Sequence, residues 1–154
     1  MTRWPLSPWQ PRSVLNAVNL STPLGLLVGV AGRVRFRRGP RGLVLGTGYR
    51  LPVPVASAFT VGDVVLTKHG PELFEERPRL LAHEERHAWQ YAASLGLPFL
   101  VLYLLAAGWS WLRGGDPVVH NPFERLAGLA DGGYPALSAR ERRRRAAAGR
   151  PRSA

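Results

Sequence analysis

Short apolar runs separated by glycine occupy the first half of the chain and predict β-strands. Residues 33–37 alternate between arginine and apolar side chains, which is the two-residue period of a half-buried strand. Residues 43–45 predict a second strand beyond a turn that contains glycine and proline. Residues 58–67 predict a further strand, or a hairpin around Gly62 and Asp63. Together these runs predict a small antiparallel sheet.

The second half of the chain predicts helices that are separated by glycine and proline. The first begins at Pro78, because proline is favoured in the first helical turn, and ends near Leu95. A second helix covers residues 98–112, and a third covers residues 121–130. The sequence therefore predicts an α+β fold in which short antiparallel N-terminal strands precede a helical half.

The two ends of the chain differ in composition from its body. Residues 1–12 contain three prolines and two tryptophans, and they predict an extended lead-in. Residues 139–154 carry seven arginines against one glutamate, so they hold +6 of the net charge of +11. Such a charge run predicts a disordered tail. The length of 154 residues suits one domain, which is expected over residues 1–138.

The chain contains no cysteine. Disulfide frameworks, zinc ribbons, iron–sulfur clusters and thiol catalysis are therefore excluded. A metal site would have to be built from histidine, aspartate and glutamate side chains.

Residues 83–87 form the motif His-Glu-x-x-His inside the first predicted helix. Residues four positions apart lie on one face of a helix, so His83 and His87 can both reach one zinc ion. Glu84 lies beside this pair, where it can accept a proton from a water molecule at the metal. A solvated helix face is the alternative, but the flanking residues are mostly apolar and disfavour it. The motif thus predicts a zinc site with two histidine ligands and Glu84 as the catalytic base.

A catalytic zinc ion needs a third protein ligand. The candidates downstream of the motif are Asp116, His120, Glu124 and Asp131. Glu124 lies in the first turn of the third predicted helix. Asn121 and Glu124 also have the spacing of a capping box, in which the glutamate would serve the helix N-terminus and not the metal. Gln90 and Tyr91 lie near the histidine face, where they would either contact a substrate or pack locally.

Two segments carry a resemblance to a known family. Residues 80–91, L-x-A-H-E-x-x-H-x-x-Q-Y, and residues 121–125, Asn-Pro-Phe-Glu-Arg, resemble small bacterial His-Glu-x-x-His proteins. These proteins are similar to gluzincins, zinc metallopeptidases whose third ligand is a glutamate on a helix beyond the motif helix. The resemblance covers residues 58–133. The carboxylate that usually follows the ligand glutamate by four residues is replaced here by Gly128.

The resemblance implies a function and a set of site residues. It implies a zinc-dependent hydrolase, either a gluzincin-like peptidase that acts on a peptide or protein or a metal-binding relative of one. The implied ligands are His83, His87 and Glu124, with Glu84 as the base. His120 remains the alternative third ligand.

Residues 88–112 form a run of 25 residues without a formal charge. Gly96 and Pro98 interrupt the run, and a helix over residues 98–112 would be about 22 Å long, shorter than a bilayer core of about 30 Å. This segment is expected to be a buried core helix, or alternatively an interfacial helix that contacts a membrane through Trp109 and Trp111.

Residues 13–32 are also uncharged, but Pro23 interrupts them and disfavours a signal peptide. A cytoplasmic location is therefore expected, with membrane association through residues 98–112 as a further possibility.

Residues 140–145, Arg-Glu-Arg-Arg-Arg-Arg, favour a different class of function. Such a segment is typical of a non-catalytic basic protein that associates with nucleic acid or with an anionic membrane surface. No aromatic platform or reading motif for nucleic acid accompanies the arginines. The sequence therefore favours the zinc hydrolase over this alternative.

Overall fold

The computed structural model describes residues 7–148. The chain divides into two compact units, Met1–Leu100 and Val101–Ala154. Its helices are α1 (Gln10–Val18), α2 (Ser21–Ala31), α3 (Leu73–Glu76), α4 (Pro78–Ala93), α5 (Leu97–Gly114), α6 (Pro122–Ala127) and α7 (Ala139–Ala148). Its strands are β1 (Arg35–Arg38), β2 (Val44–Thr47), β3 (Ala58–Val61) and β4 (Val64–Thr67), with a short 3-10 turn at Pro40–Gly42.

The strands form one mixed sheet in the order β1-β2-β4-β3. The α+β class is therefore confirmed, and β3 and β4 form the expected hairpin. The expectation of a purely antiparallel sheet is wrong for the central pair, because β2 and β4 run parallel with Val44 opposite Val64. The connection through β3 places β4, and not β3, beside β2. The apolar residues of β4 suit this central position, because all four residues of the strand are buried.

The hairpin turn at Gly62 is also a packing point for α2. Gly62 has a φ of 62°, a left-handed conformation that favours glycine. A Cβ at this position would lie 2.3 Å from the backbone nitrogen of Thr22 in α2. Glycine therefore permits both the tight turn and the close approach of the helix.

The helix α4 begins at Pro78 as predicted and packs on the sheet with its apolar side. The cluster beneath it draws on β2, β3, β4, α3 and α4, and burial of this apolar area is the main stabilising contribution in this unit. Its members are Leu43, Leu45, Ala58, Val65, Leu73, Phe74, Leu80, Leu81 and Ala88.

The sequence predicts an extended lead-in over residues 1–12, but the structure shows that the end of this segment is helical. Residues 1–6 lie outside the described residues, and residues 10–12 form the first turn of α1. Pro11 suits this turn, because the first N–H groups of a helix have no partner within the helix. Composition alone did not distinguish this helix start from a proline-rich coil.

Arg12 is fully buried and anchors α1 to the rest of its unit. Its Nε donates to Asp63 at 2.9 Å, and its Nη1 donates to Glu85 at 2.7 Å. Its Nη2 donates to the carbonyl of Arg41 at 2.6 Å. Asn16, one turn further along α1, also donates to Asp63 and to the carbonyl of Ala88. The buried guanidinium thus has a partner on each of its nitrogens.

Glu85 is held in its ionised form by this network. Burial alone would raise the pKa of the Glu85 carboxyl, but hydrogen bonds from Arg41 and Arg12 outweigh it and hold that pKa below its usual value. Asp63 is likewise a structural partner of Arg12 at the β3–β4 turn.

In the second unit, Asp116 joins the end of α5 to the start of α7. Its carboxylate accepts hydrogen bonds from the backbone N–H groups of Val118, Val119 and Ala139. Burial would raise the pKa of Asp116, but these backbone donors lower it by more. Ser110 of α5 accepts from the backbone N–H of His120 at 2.9 Å.

Residues 139–148 of the expected disordered tail form the helix α7. The signal for this helix lies just before it. The backbone N–H of Ser138 donates to Glu141 at 2.8 Å, and the N–H of Glu141 donates back to the Ser138 hydroxyl at 3.4 Å. Ser138 and Glu141 therefore form a capping box, which overrides the charge repulsion among the arginines.

Among residues 7–148, α5 is long and apolar enough to cross a membrane. The pair α1 and α2, bent by 75°, passes the same criterion only when taken together. Only 17% of α5 is buried, which gives no support to the expected core helix.

Replacing Arg12 by alanine is expected to lower the free energy of unfolding by about 3–5 kcal/mol, because Asp63 and Glu85 would lose a buried partner. Arg79→Ala is the matched control, since Arg79 is exposed on α4, and it should change stability by about 0.5 kcal/mol or less. Urea unfolding followed by circular dichroism measures both. Equal stabilities of the two variants would contradict an anchoring role for Arg12.

Candidate metal centre

The two motif histidines lie on the buried side of α4. His83 is 1% exposed and His87 is 7% exposed. Their Nε2 atoms are 3.1 Å apart. Two nitrogen ligands of one tetrahedral zinc ion, each about 2.0–2.1 Å from the metal, are separated by about 3.3 Å. The observed separation is therefore close to the one that a shared metal ion requires.

Gln90 contacts the imidazole of His87 at Nδ1, the ring nitrogen that faces away from His83. The side-chain oxygen of Gln90 lies 2.8 Å from Nδ1 of His87. An amide oxygen only accepts hydrogen bonds, so this contact places the imidazole proton on Nδ1, and the unprotonated Nε2 faces His83. Of the two roles expected for Gln90, the structure shows a local hydrogen bond, and the group it orients is a candidate ligand.

Tyr91 packs locally. It is 2% exposed, and its ring lies edge-on to Phe99 with the centroids 4.6 Å apart. Burial raises the pKa of Tyr91 to about 12, so the phenol stays protonated at neutral pH.

Glu84 is 2% exposed, and its side chain lies against the sheet. The hydroxyl of Thr60 on β3 donates to Oε2 of Glu84 at 2.7 Å. The same hydroxyl lies 3.2 Å from the backbone carbonyl of Glu84. Thr60 therefore fixes the carboxylate next to His83. No local sequence pattern predicts this contact, because it depends on how α4 packs on the edge strand.

Glu124 lies in the first turn of α6, as predicted, and is 2% exposed. The hydroxyl of Tyr103 donates to its Oε1. Asn121 caps the helix by accepting a hydrogen bond from the N–H of Phe123 at 3.0 Å. The N–H of Asn121 itself donates to the carbonyl of Val118. The cap is therefore built by Asn121 without the reciprocal bond from Glu124 that a capping box requires.

Three of the predicted site residues come together as a potential metal-binding group. One candidate ligand atom from each of His83, His87 and Glu124 lies within 4.8 Å of the other two, and all three side chains are buried. Two imidazoles and one carboxylate are a donor set that suits zinc. The other candidates, Asp116, His120 and Asp131, do not belong to this group.

Comparisons with protein-family models, with curated proteins and with solved structures found no match for this chain. The arguments about function therefore depend on the site residues and their surroundings.

The purified chain is expected to bind one divalent ion, with zinc favoured by the donor set. His83→Ala and His87→Ala should abolish binding, because each removes a ligand. Glu124→Gln should weaken binding by more than about 10–100-fold, the loss typical of groups that only orient a ligand. Competition with a chromophoric chelator measures all three variants.

His69→Ala is the matched control for this titration, because His69 is exposed on the loop after β4, and the variant should bind like the parent. Unchanged affinity in Glu124→Gln would remove Glu124 from the site, and unchanged affinity in both histidine variants would contradict the site altogether.

Proposed function

We propose that this protein is a zinc-dependent hydrolase of gluzincin type that cleaves a peptide or protein. The observation that carries the proposal is the arrangement on α4, where two buried histidines have adjacent Nε2 atoms and the buried glutamate that directly follows the first of them is fixed by Thr60. A structural metal site needs the ligands but has no use for an oriented carboxylate beside them.

Each residue of the proposed site has a distinct role. His83, His87 and Glu124 would hold the ion, which when bound supplies a Lewis acid that polarises a carbonyl and acidifies water. Glu84 accepts the proton of the attacking water and passes it to the departing amine. Thr60 keeps the carboxylate of Glu84 in one orientation, and Gln90 orients the imidazole of His87.

The sheet supports a peptide as substrate. The strand β3 is a terminal strand of the sheet, and it carries Thr60 against Glu84. An extended peptide that paired with β3 would run past this carboxylate, and backbone pairing of this kind is a common mode of peptide recognition. We propose a cytoplasmic location, because the cytoplasmic leaflet carries the anionic lipids that attract arginine-rich segments such as α7.

Glu84→Gln is expected to keep the metal and to lower the rate of hydrolysis of a casein or mixed-peptide substrate by about 10²–10⁴-fold, the contribution typical of a general base. The amide has the same shape but cannot take up the proton. Glu75→Gln is the matched control, because the Glu75 side chain is 74% exposed and its carboxylate is 3.7 Å from Arg37. Undiminished activity in Glu84→Gln would rule out the proposed base.

Thr60→Val should lower the rate constant kcat by about 10-fold or more while leaving metal content and KM unchanged, because it removes only the hydroxyl that orients Glu84. Thr60→Ser retains the hydroxyl and should restore most of the rate. Steady-state kinetics with metal analysis of each variant would show this. A loss in Thr60→Ser without a loss in Thr60→Val would instead indicate a packing role for the Thr60 methyl group and would contradict the role of the hydroxyl.

A further inference from the structure

The helix α5 exposes its most apolar side to solvent. Its buried positions are Phe99, Ser110 and Gly114. On a helix with about 100° per residue these positions fall on one side, and the opposite arc of about 200° contains no charged residue. The large side chains exposed along α5 are Leu97, Leu100, Val101, Leu102, Leu104, Leu105, Trp109, Trp111 and Leu112. A soluble protein rarely leaves so large an apolar surface uncovered.

The polar side of α5 is turned toward the rest of its unit. Tyr103 donates to Glu124, and Ser110 donates to the carbonyl of Asp116. The polar side chains therefore face inward and the leucines face outward, which is the reverse of a surface helix in water. The outward-facing leucines of α5 therefore need a partner that offers them an apolar environment.

A cluster of positive charge lies at the C-terminal end of this surface. Arg113 ends α5, and its carbonyl accepts a hydrogen bond from Arg140 at 3.2 Å. The helix α7 carries five arginines and one glutamate, a net charge of +4, and residues 141–148 are exposed. Trp109 and Trp111, which are 59% and 60% exposed, lie in the turn next to this cluster. Tryptophan beside arginine is typical of the boundary between lipid chains and headgroups.

We propose that the outer side of α5 inserts into the surface of an anionic lipid bilayer, with the helix lying in the plane of the membrane. The leucines would enter the acyl boundary, Trp109 and Trp111 would lie at the level of the headgroups, and the arginines of α7 would bind lipid phosphates. Charge complementarity selects the anionic bilayer over a second copy of this chain, because a copy would bring a second cluster of arginines to the first.

The in-plane orientation follows from the two sides of the helix. A spanning helix would bury the hydrogen-bonded polar side of α5, together with Glu124, in the bilayer core. The charges also lie at one end of the helix and not at both. This surface is independent of the metal ligands, so its test does not depend on the hydrolase proposal.

The experiment is flotation of the full chain with vesicles of phosphatidylcholine alone or mixed with phosphatidylglycerol. Strong binding is expected only to the anionic vesicles. Leu104→Glu with Leu105→Glu should lower binding at least about 10-fold, because both side chains would bring charge into the acyl region. Replacing Arg142–Arg145 by glutamine should remove most of the preference for anionic lipid, by about fivefold for each arginine.

Leu51→Glu with Val55→Glu is the matched control, because it adds the same charge at two other exposed apolar positions, and it should bind like the parent. Circular dichroism of each variant checks that the fold is retained. The proposal is overturned if the chain does not float with anionic vesicles. It is also overturned if the chain forms a dimer that the α5 variant dissociates, or if the arginines bind DNA and not lipid.

Depth measurements distinguish the in-plane helix from a spanning one. The chain has no cysteine, so a single introduced cysteine can be spin-labelled without background. Labels at Leu97→Cys, Leu104→Cys and Leu112→Cys share the outer side of α5 and should report one common depth. A deep label at position 104 between two shallow ones would overturn the in-plane arrangement.

Discussion

The buried guanidinium of Arg12 is the interaction on which the first unit depends. It joins α1 to the β3–β4 turn through Asp63, to the 3-10 turn through the Arg41 carbonyl, and to α4 through Glu85. A lysine could not replace it, because a single ammonium cannot reach three acceptors that lie in the plane of a fork. The apolar cluster beneath α4 supplies most of the stabilisation, but it is non-directional and would allow α4 to rotate or slide. Arg12 fixes one side of that helix.

This constraint sets the geometry of the candidate site. Glu84 and Glu85 are adjacent in the sequence, so they point about 100° apart around α4. Once Glu85 is held by Arg12 and Arg41, Glu84 faces β3 and meets Thr60. The same rotation places His83 and His87 on the buried side. Two neighbouring glutamates thus have separate functions, one in holding the helix and one beside the histidines.

The sequence predicted the helices and strands better than it predicted which of them pack or pair with one another. The α4 helix with its His-Glu-x-x-His motif and the β3–β4 hairpin follow from local patterns, and both are present. The parallel pairing of β2 with β4 could not be predicted, because it depends on which strand the chain brings back to the centre of the sheet. Thr60 and Gln90 were not predicted to orient Glu84 and His87 for a similar reason. The sequence around a hydroxyl or an amide does not indicate which side chain it will contact in the folded protein. The Ser138 capping box was a local signal, but the arginines that follow it obscured it.

The burial of Arg12 also has a consequence for the order of events during synthesis. Asp63 and Glu85 lie 51 and 73 residues further along the chain. At about 5–20 residues per second, a ribosome needs about 4–15 s to make the residue that completes this network. Throughout that interval the guanidinium lacks at least one of its three partners, and α1 has no α4 to pack against. The helix α1 is therefore made before every partner of Arg12, and its docking can be completed only after Glu85 of α4 has been synthesised.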